Sequence, residues 1–340
     1  MKLAFAVLIQ CLLMALGALP RLSLWHAVLA TAPFAFLLAG GRAVLTRARR
    51  SRLPFLVNRL RHVPYGVFNR VTRRKFVGHA TIEKFVAGKQ GLEIGGPTPI
   101  FRGGRLIPVY DRCSRIDNCN FSEKTIWDNS RDQRMFGAHR GRSLVGEAWD
   151  LPQVFGGSYD FVLASHVLEH VANPMRALLE WRRILAPGGG LLIIVPDKRA
   201  TFDHLRPYTT LDHIEADYER GVAESDLTHL GEVLALHDLS LDPPAGTWEE
   251  FRVRCLRNPS LRAMHHHVFS PEVLVRMLSL ARMQVLSVGI ERPFHLIVFA
   301  QKPNSEEPRS VELPNASFIE ENAAWRRGDP LRRDVGGQTN

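Results

Sequence analysis

Gly91-Leu92-Glu93-Ile94-Gly95-Gly96-Pro97 is the stretch on which the fold turns. A short apolar run carries a carboxylate near its end and runs into two glycines, which permit a tight turn and let a ligand approach the backbone. Alone, such a stretch is common to many doubly wound sheets. The residues downstream narrow the reading. Val109-Tyr110-Asp111 puts a second carboxylate at the end of a second apolar run, and Gly146-Glu147-Ala148-Trp149-Asp150-Leu151-Pro152 puts a third after a third run. Then come Ser158-Tyr159-Asp160-Phe161-Val162-Leu163-Ala164-Ser165-His166-Val167-Leu168-Glu169-His170-Val171 and Leu185-Ala186-Pro187-Gly188-Gly189-Gly190, leading to a fifth run that ends in Val195-Pro196-Asp197.

The alternation of apolar runs with helical stretches predicts an α/β sheet. Predicted strands are Gly91–Ile94, Leu106–Tyr110, Ser143–Gly146, Phe161–Ser165, Leu191–Pro196, Gln284–Ile290 and Leu296–Gln301. The last two are joined by a short connection containing Glu291-Arg292-Pro293, which suits an antiparallel pair. Helices are predicted at Ile82–Ala87, Pro174–Leu185, Leu211–Glu219 and Pro271–Ala281. Asn173 and Ser270 stand at N-cap positions, each followed by a proline at the first helical position. The chain of 340 residues has room for one or two folded units. Its four cysteines form no CxxC pair, so neither a disulfide framework nor a zinc ribbon is indicated.

In this order the motifs resemble a class I S-adenosylmethionine-dependent methyltransferase with a type-11-like methyltransferase domain, strongly over about residues 80–200 and more loosely to 302. The resemblance implies a Rossmann-like seven-stranded sheet with a reversed terminal hairpin, and S-adenosyl-L-methionine as cofactor. Carried over, Glu93, Gly95 and Gly96 hold the methionine part, and Asp111 takes the ribose hydroxyls. Glu147 and the Ala148 backbone meet the adenine edge, and Ser165 and His166 border the sulfonium and the acceptor. One departure stands out. Pro97 and Pro99 occupy positions where such turns usually carry glycine, and too few residues come after Gly95 for a full first helix. A nicotinamide enzyme fits less well, because a complete G-x-G-x-x-G is absent.

The formal charge of +10 is not spread evenly. The first 82 residues carry 13 Lys/Arg and no acid, which leaves 31 Lys/Arg against 34 Asp/Glu in the remainder. A nucleic-acid partner is therefore not expected of the folded body. Between Leu3 and Leu45 the only charged residues are Arg21 and Arg42, so residues 1–50 read as a membrane anchor of one or two helices. The arginine-rich flank from Arg42 to Arg52 orients it with the catalytic domain cytoplasmic. The basic juxtamembrane segment 51–75 suits an anionic membrane surface. A cleaved export signal and a misplaced start are the competing readings. A methyltransferase domain over 76–302, a substrate insert over about 201–270 and a flexible tail over 303–340 complete the expected organisation.

The insert is rich in His and Asp. His213 and Asp217 lie one helical turn apart, and His265-His266-His267 precedes the last predicted helix. A hydroxyl acceptor benefits from a base that titrates near neutrality, which makes His166, His213 and His266 the catalytic candidates. A metal site from Asp203, Asp217, His265 and His267 is conceivable. Alternate residues of an extended run share a face, but no metal ligand is assigned. The expected function is methyl transfer to a hydroxyl of a glycan, lipid-linked saccharide or lipid at the membrane. The alternative is a non-catalytic methyltransferase-fold module that anchors a membrane complex.

Overall fold

The computed structural model describes residues 75, 76, 78–127 and 133–304. The expected anchor, nearly all of the basic segment and the tail from 305 onward lie outside the described residues. No helix among the described residues is long and apolar enough to cross a membrane.

The chain enters through α1 (His79–Val86) and then builds seven strands: β1 (Gln90–Ile94), β2 (Arg115–Asn120), β3 (Arg140–Val145), β4 (Tyr159–Ser165), β5 (Leu185–Pro196), β6 (Gln284–Glu291) and β7 (His295–Gln301). They form one sheet in the order β3-β2-β1-β4-β5-β7-β6. β1 to β5 run parallel, and β7 lies antiparallel between β5 and β6. This is the expected seven-stranded sheet with its reversed hairpin.

Strand periodicity of two divides the core. Val162, Ala164, Leu191 and Ile193 face a layer that holds Leu178, Trp181, Leu274 and Leu278. Their neighbours Phe161, Leu163, Leu192 and Ile194 face the opposite layer, with Ile82, Val86, Phe101 and Tyr110. The first layer is made by α2 (Pro174–Ile184) and a later helix, Pro271–Leu280. Each begins on a side chain that accepts the third helical N–H, Asn173 from Arg176 and Ser270 from Val273, followed by proline.

The second strand is a correction. Leu106–Tyr110 is not a strand; it packs beneath the sheet in the second layer. The true β2 contains buried Asp117 and Asn118, so it does not read as an apolar run. Between β1 and β2 there is only a single 3-10 turn, Pro99–Phe101, in place of a first helix. Phe101, Ile107, Val109 and Tyr110 fill the face such a helix would cover.

Between β5 and β6 lies the insert, with α3 (Leu211–Glu219), α4 (Leu230–Leu236), α5 (Trp248–Leu256), and α6 (Pro271–Leu280), which returns the chain to the sheet. A satellite core of Val233, Ala245, Phe251, Cys255 and Met264 supports it. Arg206, only 1% exposed, ties the insert together. Its guanidinium donates to Asp203 at 3.0 Å, Glu232 at 2.8 Å and the carbonyls of His265 and His266, both at 3.0 Å.

Trp181 is fully buried, and its indole N–H donates to the Ala148 carbonyl at 2.7 Å. Trp181→Ala is expected to destabilise the protein by about 3–5 kcal/mol in urea unfolding, because it opens a large cavity and frees that carbonyl.

Candidate active site

The parallel strands end on one edge of the sheet, where a ligand cleft of a doubly wound fold lies. β1 ends at Ile94 and the chain turns on Gly95, whose φ of +74° suits glycine. A Cβ there would come within 2.5 Å of Val167. The Gly95 N–H donates to Cys119 O at 2.8 Å, which fixes the turn to β2. At Gly96 a Cβ would fall 2.1 Å from the carboxyl carbon of Glu93. Glu93 is fully buried and lies under the turn rather than in the cleft. It accepts a hydrogen bond at 2.7 Å from the Tyr110 hydroxyl, which in turn accepts one from the Thr98 N–H at 2.7 Å. Burial, and then the Glu93 charge, push the Tyr110 pKa far above its ordinary value, so the hydroxyl stays a donor.

The cleft is open on one side, and its atom-free space, solvent-facing part included, is about 520 Å³. Gly95, Asn120, Phe121, Trp127, Glu147, Ala148, Val167 and Val171 line one part. His166, His170, Glu224 and Arg262 line another. Asn120 ends β2, and its amide donates to Gly96 O at 3.2 Å. Glu147 accepts from Arg262 at 2.7 Å.

Of the residues named from sequence, Gly95, Glu147, Ala148 and His166 meet in this cleft. Glu93 and Gly96 build its floor from behind. Asp111 is corrected. With β2 displaced to Arg115–Asn120, Asp111 is an exposed turn residue, and the strand-end polar group is Asn120. Ser165 is buried in β4 and does not line the cleft. His213 and His266 do not line it either. His266 is fully buried against Asn258, 3.0 Å away, and burial pushes its pKa down to about 3. His213 pairs with His229 and Asp217 within the insert.

His166 adopts φ +53°, uncommon outside glycine and frequent at functional positions. Its Nε2 lies 3.0 Å from His295 Nδ1, and its Nδ1 lies 3.4 Å from Glu169 Oε1. Burial works against the charge of Glu169, yet the hydrogen bond from His166 and the imidazoles of His170 and His265 hold its carboxyl below the usual range. Glu224 behaves in the opposite way. Burial outweighs Arg262 and the Ala172 N–H and raises its pKa to about 7. Nothing local in the sequence marks Glu224 or Arg262, since both reach the cleft from the insert.

Several features of the cleft fit S-adenosylmethionine. Bare backbone at Gly95 permits close approach, Phe121, Trp127, Val167 and Val171 offer faces for a purine, and Asn120 and Glu147 supply polar ends. The model of a methyltransferase domain family matches residues 102–193. An uncharacterized 37.1 kDa protein of a Streptomyces fradiae transposon is 32% identical over 111 residues, 32% of this chain and 31% of that protein. The match thus spans about a third of that relative. Among solved structures, a SAM-dependent methyltransferase from Aquifex aeolicus aligns at 14% identity and a TM-score of 0.38, covering 67% of this chain and 90% of that one. One from Mesorhizobium loti aligns at 13% and 0.38, covering 64% and 92%.

The sheet order, the motif order and the family match define a class I S-adenosylmethionine-dependent methyltransferase domain. Enzymes of that class use S-adenosylmethionine as methyl donor.

Asn120→Ala is expected to weaken S-adenosylhomocysteine binding by about 1–3 kcal/mol in calorimetric titration. Asp111→Ala should leave binding unchanged; the reverse pattern would restore the role that the motif order assigns to Asp111.

Proposed function

We propose that this chain is an S-adenosylmethionine-dependent methyltransferase that acts on a hydroxyl of a glycan, lipid-linked saccharide or lipid at a membrane surface. The observation that carries the acceptor chemistry is the convergence of His166, His170 and Glu224 on the cleft beside the glycine turn. When bound, S-adenosylmethionine supplies a methyl carbon made electrophilic by positive sulfur. The residues of the chain then have to hold an oxygen in line and take its proton. Glu224, poised near neutral pH, is the base in this reading. His166, held by His295 and Glu169, orients the hydroxyl.

The sequence supports the location. Residues 1–50 serve as the anchor, and the arginines from Arg42 onward rest on the anionic cytoplasmic leaflet. Tethering raises the local concentration of enzyme at a lipid-borne acceptor.

Comparing envelope lipids and glycans from cells with and without the protein by mass spectrometry should reveal loss of a methylene-sized increment from one species. Methyl label found only in nucleic acid or protein would defeat this acceptor class. Because the base must be ionised, kcat is expected to fall as pH drops through about 7. Glu224→Gln should lower kcat by about 10²–10⁴-fold and flatten that limb. An unchanged limb in the variant would assign the proton to another group.

A further inference from the structure

The insert brings together four metal-ligating side chains that methyl transfer does not use. His213 and Asp217 come from one face of α3, His229 from the loop before α4, and His267 from the extended segment before α6. One ligand atom from each lies within 4.8 Å of every other. His213 Nε2 stands 2.8 Å from His229 Nε2 and 3.2 Å from Asp217 Oδ2. His267 Nε2 stands 3.8 Å from the same oxygen. Donors bound at 2.0–2.1 Å around a tetrahedral zinc ion are separated by roughly 3.3 Å, close to the His213–Asp217 gap and within the spacing of the set.

We infer that His213, Asp217, His229 and His267 form a binding site for a zinc-class divalent transition ion. Two further observations support the site. Asp217 is fully buried, yet its Oδ2 accepts no hydrogen bond, and His267 Nδ1, also buried, has no partner. A buried carboxylate oxygen turned toward imidazoles is costly unless a cation or a proton meets it. The surrounding groups are those that orient metal ligands. Asp226 stands 3.6 Å from His229 Nδ1 and Arg220 binds the other Asp217 oxygen, while the Ala172 carbonyl, 3.1 Å from His267 Nε2, accepts the proton there and leaves the unpartnered Nδ1 as the ligand nitrogen. Imidazole with one carboxylate favours zinc and its transition-metal neighbours over magnesium or calcium.

Four protein donors fill a tetrahedron, which is the pattern of a structural ion rather than of one that keeps a position for substrate. The ion would cross-link three segments of the insert. His213, whose side chain is 39% exposed, gives it a route in from solvent. The site lies outside the cofactor cleft and does not depend on the proposed acceptor.

The test uses the full chain in detergent, stripped with a chelator and titrated with cobalt(II) as a spectroscopic probe, then with zinc(II). One equivalent of cobalt should produce the strong visible absorption of a four-coordinate ion, and zinc should displace it while magnesium does not. Zinc should also raise the thermal midpoint. His213→Ala, at a half-exposed position that the fold tolerates, should lose at least about tenfold in affinity and most of the thermal shift. Asp217→Asn provides a second variant. Stripped wild-type protein that takes up no stoichiometric cobalt or zinc would overturn the site. So would His213→Ala and Asp217→Asn proteins that bind as tightly as wild type.

Discussion

A buried carboxylate carries the cofactor turn. Glu93 is fully shielded from water, and an ion so placed costs several kcal/mol unless hydrogen bonds meet it. Tyr110 does so through its hydroxyl, and the same hydroxyl anchors the Thr98 N–H. The segment 97–110 therefore need not be helical to be ordered. Its apolar residues Phe101, Ile107 and Val109 seal one face of the sheet while Tyr110 reaches back to β1. Pro97 and Pro99, which remove helix donors, agree with that arrangement. The turn in turn gives Asn120 a carbonyl to hold, so the ends of β1 and β2 are locked to each other.

How much of the fold is legible in the sequence depends on how each element is stabilised. β4, β5 and β7 are buried on both faces and read as continuous apolar runs. α2 and α6 announce themselves by caps and prolines. β2 cannot be read that way. Its interior holds Asp117, which accepts from Arg115, Arg142 and the Tyr159 hydroxyl, so polar groups replace the apolar signal. The run 106–110 supplies a false strand because loop residues that cover a sheet must also be apolar. The placing of Asp111 at a strand end fails for the same reason, since that end lies nine positions later, at Asn120.

The histidines show a different limit. Period-two reasoning separates His266 from its two neighbours, and the structure does bury it apart, against Asn258. The same reasoning would put His265 and His267 on one ion. In the structure, His265 meets Asp203 at 2.5 Å, while His267 faces Asp217. Each is recruited by a carboxylate from a segment far away in the chain. Spacing along a chain tells which side chains share a face, but not which foreign group the fold delivers to that face.

The wall of the cleft that carries Glu224 and Arg262 is built by the insert, which docks on the chain just after β4. The N–H of His266 donates to Glu169 O at 2.8 Å, and the Ala172 N–H donates to Glu224 at 3.1 Å. Arg262 crosses to Glu147 at the opposite wall. Glu224 owes its raised pKa first to burial, so an undocked insert would return it to an ordinary acid. Docking of the insert thus contributes to the proton affinity of Glu224. The Arg206 fan that fixes the backbone of His265 and His266 from within the insert is, through this docking, part of what sets the acidity of the cleft.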